Sequence, residues 1–156
     1  MLKAYCRWAI MTSDRWPDMA GRRDGATHIL PIRVYYEDTD AGGVVYHANY
    51  LKFCERARSD WLRLLGIHHH QLEDAGFVVR RMVCDFLKPA RLDDLLEVET
   101  RFLDMGGARL ELDQRVMLNG NSLFTARVTV ALIDGRGKPR RLPQSMAAAL
   151  KSFTDL

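Results

Sequence analysis

Apolar and polar residues alternate through three consecutive runs in the second half of the chain. From Leu95 to Leu103, Leu96, Val98, Thr100 and Phe102 take one side and Glu97, Glu99 and Arg101 the other. From Arg109 to Leu118, Leu110, Leu112, Gln114 and Val116 alternate with Arg109, Glu111, Asp113 and Arg115. From Leu123 to Ile133, Phe124, Ala126, Val128, Val130 and Leu132 alternate with Thr125, Arg127 and Thr129. A period of two marks a strand with one buried face. Met105-Gly106-Gly107 turns the chain after the first run, and Asn119-Gly120-Asn121 is a hairpin signal after the second. Two more runs read as strands. They are His28 to Tyr36, where Ile32, Val34 and Tyr36 alternate with Arg33 and Tyr35, and Phe77 to Leu87, which ends at Lys88-Pro89.

The period changes between those two runs. Tyr50, Phe53/Cys54, Ala57, Trp61 and Leu64/Leu65 recur at helical spacing, with Lys52, Arg56, Ser59 and Arg63 on the other face. A helix over residues 49–65 follows, with Asn49 as N-cap and Gly66 as stop. A short helix from about Pro143 to Phe153 closes the chain. The elements predict an α+β fold. A curved antiparallel five-stranded sheet carries one long central helix against its apolar face.

The 156 residues suit one domain, read as residues 27–156. Residues 1–26 have no clear period and read as a disordered leader or a start codon placed too early, with Met11 or Met19 as the true start. The net charge of +3 is too balanced for a nucleic-acid surface, and a weak positive bias suits a polyanionic small molecule. Cys6, Cys54 and Cys84 are too scattered for a disulfide framework or a zinc site. They fit small buried groups in a reducing cytoplasm. No run is long enough to span a membrane. His68-His69-His70 suggests a metal, but neighbours on a helix point about 100° apart, so three in a row do not chelate one ion. No metal and no cofactor are expected.

Candidate chemistry concentrates in Tyr35-Tyr36-Glu37-Asp38-Thr39-Asp40-Ala41-Gly42-Gly43-Val44-Val45-Tyr46-His47-Ala48-Asn49-Tyr50. The stretch sets acids, a glycine pair and a histidine between a strand and a long helix. An aspartate is ionised at neutral pH without a special environment. Placed beside a helix N-terminus, it can attack a carbonyl, or activate water against it, while helix amides polarise the oxygen. Asp-Ala-Gly-Gly is equally good turn chemistry, so Asp40 has a purely structural reading. Asp38 reads as the turn or solvent acid. Tyr46 and Tyr50 read as core or interface.

From Arg33 through Leu51, continuing in Glu55-Arg56-Ala57-Arg58 and Phe86-Leu87-Lys88-Pro89-Ala90-Arg91-Leu92-Asp93-Asp94, the chain resembles the hot-dog fold acyl-CoA thioesterases. More closely it is similar to the 4-hydroxybenzoyl-CoA thioesterase class and its Tol–Pal-associated branch. The resemblance runs from about residue 28 to the C-terminus. It implies that Asp40 is the catalytic carboxylate. It also implies that the amide or ring of His47 holds the thioester oxygen, and that sites lie at a dimer interface, with dimers often paired into tetramers. Tyr46, Asn49, Glu55, Lys88 and Arg91 are the candidate substrate-binding residues, the two cations for phosphates by charge alone. The expected reaction is hydrolysis of an acyl-CoA to free acid and CoA. Two other readings stay open: an acyl-carrier-protein thioesterase, and an interaction protein of the cell envelope or lipid-synthesis machinery with weak hydrolysis. Acyl chain length, aromatic or aliphatic, is not decided by these residues.

Overall fold

A computed structural model describes residues 19–68, 72 and 74–154. The strands are β1 (Arg22–Asp24), β2 (Thr27–Arg33), β3 (Ala75–Phe86), β4 (Leu95–Gly106), β5 (Arg109–Leu118) and β6 (Asn121–Asp134). The helices are α1 (His47–Leu64) and α2 (Gln144–Lys151). All strand pairs are antiparallel, in the order β1-β2-β4-β5-β6-β3.

The alternation in β4, β5 and β6 is a division between faces. Leu96, Val98, Leu110, Leu112, Val116, Phe124, Val128 and Leu132 are buried. They meet the helical stripe Tyr50, Phe53, Cys54, Ala57, Trp61 and Leu62. Helix α1 lies on β2, β4 and β5. Register shifts at Val79/Arg81, Phe102/Asp104 and Val116/Met117 bend the strands around it. Asn119 and Gly120 both take positive φ, as a two-residue hairpin turn requires. Gly66, at φ 75°, ends α1: its amide donates to Arg63 O and that of Ile67 to Leu62 O, so two orphan carbonyls are satisfied.

Among the described residues the sheet has six strands and the fold two helices, one strand more than the pattern predicts. The extra strand, β1, falls within residues 1–26 and turns back onto β2 through Asp24↔Thr27. Its tether is polar: the buried ring of His28 pairs through Nε2 with Ala20 O at 2.6 Å, and burial lowers the His28 pKa. Arg23 caps the far end, with its guanidinium 4.5 Å from the Phe153 ring centre and Nη2 donating to Ser152 O. Arg22-Arg23-Asp24 has no apolar period, so nothing in the pattern announces it.

The first predicted strand also ends early. β2 stops at Arg33, because Val34 is claimed by Asp93 and Asp94. Tyr35 and Tyr36 leave the sheet, and Tyr36–Asp38 form one 3-10 turn.

Candidate active site

The loop from Asp38 to Tyr46 is fixed at both ends. Asp38 is buried, not a solvent acid: its Oδ2 accepts the Tyr35 amide at 2.9 Å. Its carbonyl accepts from the Tyr46 amide at 2.8 Å and from Asn49 Nδ2 at 2.9 Å. Between these anchors the chain closes a tight hairpin. Thr39 bridges Val45, the Asp40 amide donates to Val44 O, and the Gly43 amide donates to Asp40 O. Gly43 turns at φ 74°, a conformation open to glycine.

Asp40 occupies the exposed tip, where Oδ1 accepts the Gly42 amide at 2.8 Å. The turn-forming reading of this residue is therefore realised, and among the described residues Oδ2 has no hydrogen-bond partner. The segment after β3 supports the loop from beneath. Val45 donates to Ala90 O, Val44 bridges Arg91, and Ala90 N donates to the Tyr50 hydroxyl. Burial raises the Tyr50 pKa, and the Ala90 hydrogen bond offsets part of that.

Helix α1 begins at His47, two residues before the predicted start. Tyr46 is the N-cap residue, and no side chain caps the helix. Asn49, expected to be the cap, is buried and spends its amide on the Asp38 carbonyl instead. The first amides of a helix lack intrahelical acceptors. The one at Asn49 reaches Tyr46 O at 2.8 Å, while His47 begins the helix beside the loop.

His47 and Lys88 come together in a cleft of about 260 Å³, with Val45, Tyr50, Phe86 and Pro89 among its walls. The exposed His47 ring lies 4.4 Å from that of Tyr46 and 6.2 Å from that of Phe86. Tyr46 is half exposed beside His47 rather than in the core, whereas Tyr50 is buried. Arg91 is exposed on the adjoining segment. Asp40 does not line this cleft within one chain, and Glu55 lines a separate cavity against β3. Asp38, Tyr50 and Phe86 shape the site without having been predicted to. Only the Tyr50–Phe86–Phe124 ring cluster had a sequence signal, in the apolar positions of three elements. His69 and His70 lie outside the described residues.

A model of the thioesterase superfamily matches residues 42–130, more than half of the chain, beginning two residues after Asp40. The chain belongs to the thioesterase superfamily. The acyl-CoA thioester hydrolase YbgC of Escherichia coli O6:H1 is 48% identical over 129 residues, 78% of this chain and 93% of that protein. The acyl-CoA thioesterase YbgC of Haemophilus influenzae is 48% identical over 124 residues, 77% and 91% of the two chains. The crystal structure of a probable thioesterase from Bartonella henselae superposes with a TM-score of 0.73 at 45% identity, covering 75% of this chain and 99% of that one. The chain has the hot-dog fold, an antiparallel sheet with α1 against it. Among the described residues no helix is long and apolar enough to cross a membrane.

Proposed function

We propose that this thioesterase-superfamily protein hydrolyses an acyl-CoA thioester to a free acid and CoA. Asp40 serves as nucleophile or general base, and the amide at the start of α1, near His47, serves as oxyanion donor. One observation carries the reading. The Asp38 carbonyl, two residues before Asp40, is bonded to both Tyr46 N and Asn49 Nδ2. The carboxylate-bearing turn is thereby held to the uncapped end of the helix, where amide dipoles favour developing negative charge.

In the nucleophilic course, an Asp40 oxygen bonds to the thioester carbon and the C–S bond breaks after a tetrahedral oxyanion. CoA leaves as thiolate and takes a proton. Water then opens the acyl-aspartyl anhydride and regenerates the carboxylate. In the general-base course Asp40 takes a proton from the attacking water and no anhydride forms. The His47 ring, at the cleft wall, can give the proton to the thiolate. Lys88 and Arg91 meet the CoA phosphates. Tyr46 flanks the His47 ring, and Asn49 acts as a positioning residue.

A second copy of the chain completes the site. β3 is an edge strand with Val78, Val79, Val83 and Phe86 exposed. Antiparallel pairing of two such edges buries them and closes the open side of the cleft.

The test is thiol release over short, long, hydroxylated and aromatic acyl-CoAs, with wild type and Asp40→Asn. Turnover in the variant is expected to fall by about 10²- to 10⁴-fold with fold and assembly kept. Near-wild-type rates in the variant would remove Asp40 from the mechanism.

A further inference from the structure

A second opening lies between α1 and β3, nearer the C-terminal half of the helix than the His47 cleft. It holds about 300 Å³, roughly the share of ten liquid waters. Glu55, Arg58, Ser59 and Trp61 line it from the helix, and Phe77 and Val79 from β3.

Its polar groups are unusual for an apolar chamber. Arg58 is half-buried, and its Nη1 donates to Gln114 Oε1 at 2.8 Å. Gln114 is fully buried and is itself fixed, with Nε2 donating to Cys54 O and Thr100 Oγ1. The guanidinium is thus anchored by a neutral partner. Among the described residues no carboxylate oxygen lies within 4.0 Å of it. Most of its five N–H donors stay uncommitted. Burial lowers its pKa, and Cys54 and the nearby Glu55 offset part of that.

An anchored guanidinium with free donors matches a carboxylate in shape and charge. We propose that this cavity is a subsite for a carboxylate on the far end of the acyl group, which makes the preferred substrate the CoA thioester of a dicarboxylic acid. The inference rests on the acyl-CoA reading of the His47 cleft. The helix sets the length. Arg58 is eleven residues after His47 (58 − 47), about 16 Å along the axis. Helical side chains lean toward the N-terminus, and Gln114 holds the guanidinium at the level of Cys54. A two- or three-carbon acyl group stops short of it, and a medium-length chain reaches it. Glu55 is exposed on the same cavity and opposes a bound carboxylate, so the subsite works through Arg58 against Glu55.

Suberyl-CoA and octanoyl-CoA share chain length and differ in the terminal carboxylate. The wild type is expected to favour suberyl-CoA in kcat/KM by tenfold or more. Arg58→Met is expected to reduce that ratio at least tenfold, and Glu55→Gln to increase it. Free suberate is expected to bind the wild type in a calorimeter and not Arg58→Met. If Arg58→Met fails to fold, Arg58→Lys keeps the charge without the fork and is expected to lower the ratio severalfold. An unchanged ratio across the Arg58 variants, or no wild-type preference with octanoyl-CoA turned over, overturns the subsite alone. Failure to hydrolyse either thioester overturns the acyl-CoA reading with it.

Discussion

Asn49 Nδ2 donates to the main-chain oxygen of Asp38 at 2.9 Å, joining the first turn of α1 to a residue eleven positions earlier. Both groups are buried. The contact sets where the Asp40 turn stands relative to the helix end, so its loss should be read in rate as well as in stability. Asn49→Ala is expected to cost about 0.5–1.5 kcal/mol in urea unfolding, the range for one net hydrogen bond, because the Asp38 carbonyl keeps the Tyr46 amide. It should also lower kcat about tenfold or more with little change in KM. A variant that loses stability but keeps full kcat would make the contact a fastener only.

Cys54 gives the fold an alkaline limit. Burial pushes its thiol from 9.0 up to about 12, so the native state keeps a proton that the unfolded chain loses first. Stability from this group is complete below pH 9 and declines as pH rises toward 12, by about 1.4 kcal/mol per unit. Tyr50, raised from 10.0, and Cys84, raised from 9.0, act in the same direction. Urea midpoints measured from pH 8 to pH 11 should fall more steeply in wild type than in Cys54→Ala. Parallel curves would contradict this.

Two glycines separate strain from collision. Gly66 turns at φ 75° with open space around an added Cβ, so Gly66→Ala is expected to cost about 1 kcal/mol, from the backbone alone. Gly21, at φ 82°, would place a Cβ 2.3 Å from Ile29 O, a contact that requires the chain to shift. Gly21→Ala should destabilise the protein by clearly more than Gly66→Ala, and it should detach β1 first. Equal midpoints for the two variants would show that β1 adds nothing to global stability.

The exposed edge of β3 is expected to hold two copies together. Val79→Lys and Val83→Lys in one chain should halve the mass in light scattering and lower activity together with it, because charge on an edge blocks pairing. A monomer with full thiol-release activity would mean that one chain carries a whole site.

The sheet and helix were readable because periodicity reports which face is buried. The runs through β4, β5 and β6 and the stripe from Tyr50 to Leu62 needed no tertiary information. Neither did Gly66 or Asn119-Gly120, whose backbone demands are local. Relations set by distant partners were not readable. Tyr35 and Tyr36 favour a strand, yet Asp94 and the Asp38 carboxylate take the backbone groups that would continue it. Asn49 has the chemistry of a cap, and only the position of the Asp38 carbonyl diverts it. Arg58 and Gln114 stand 56 residues apart, so the pattern showed a helical charge and a polar break in a strand without joining them. His47 and Lys88 were singled out separately along the chain, and only the fold brings them into one cleft and sets Glu55 apart from it.

The two borders of the sheet are unlike. β1 is three residues long, charged throughout, and clasped to the C-terminal helix by Arg23. β3 is twelve residues long and carries apolar groups outward. Short charged borders discourage pairing, and long apolar ones invite it. Each copy therefore offers one open margin and one sealed one. Pairing across the open margins by a two-fold axis would use both up, so growth through this sheet would stop at two chains rather than run on into a fibre.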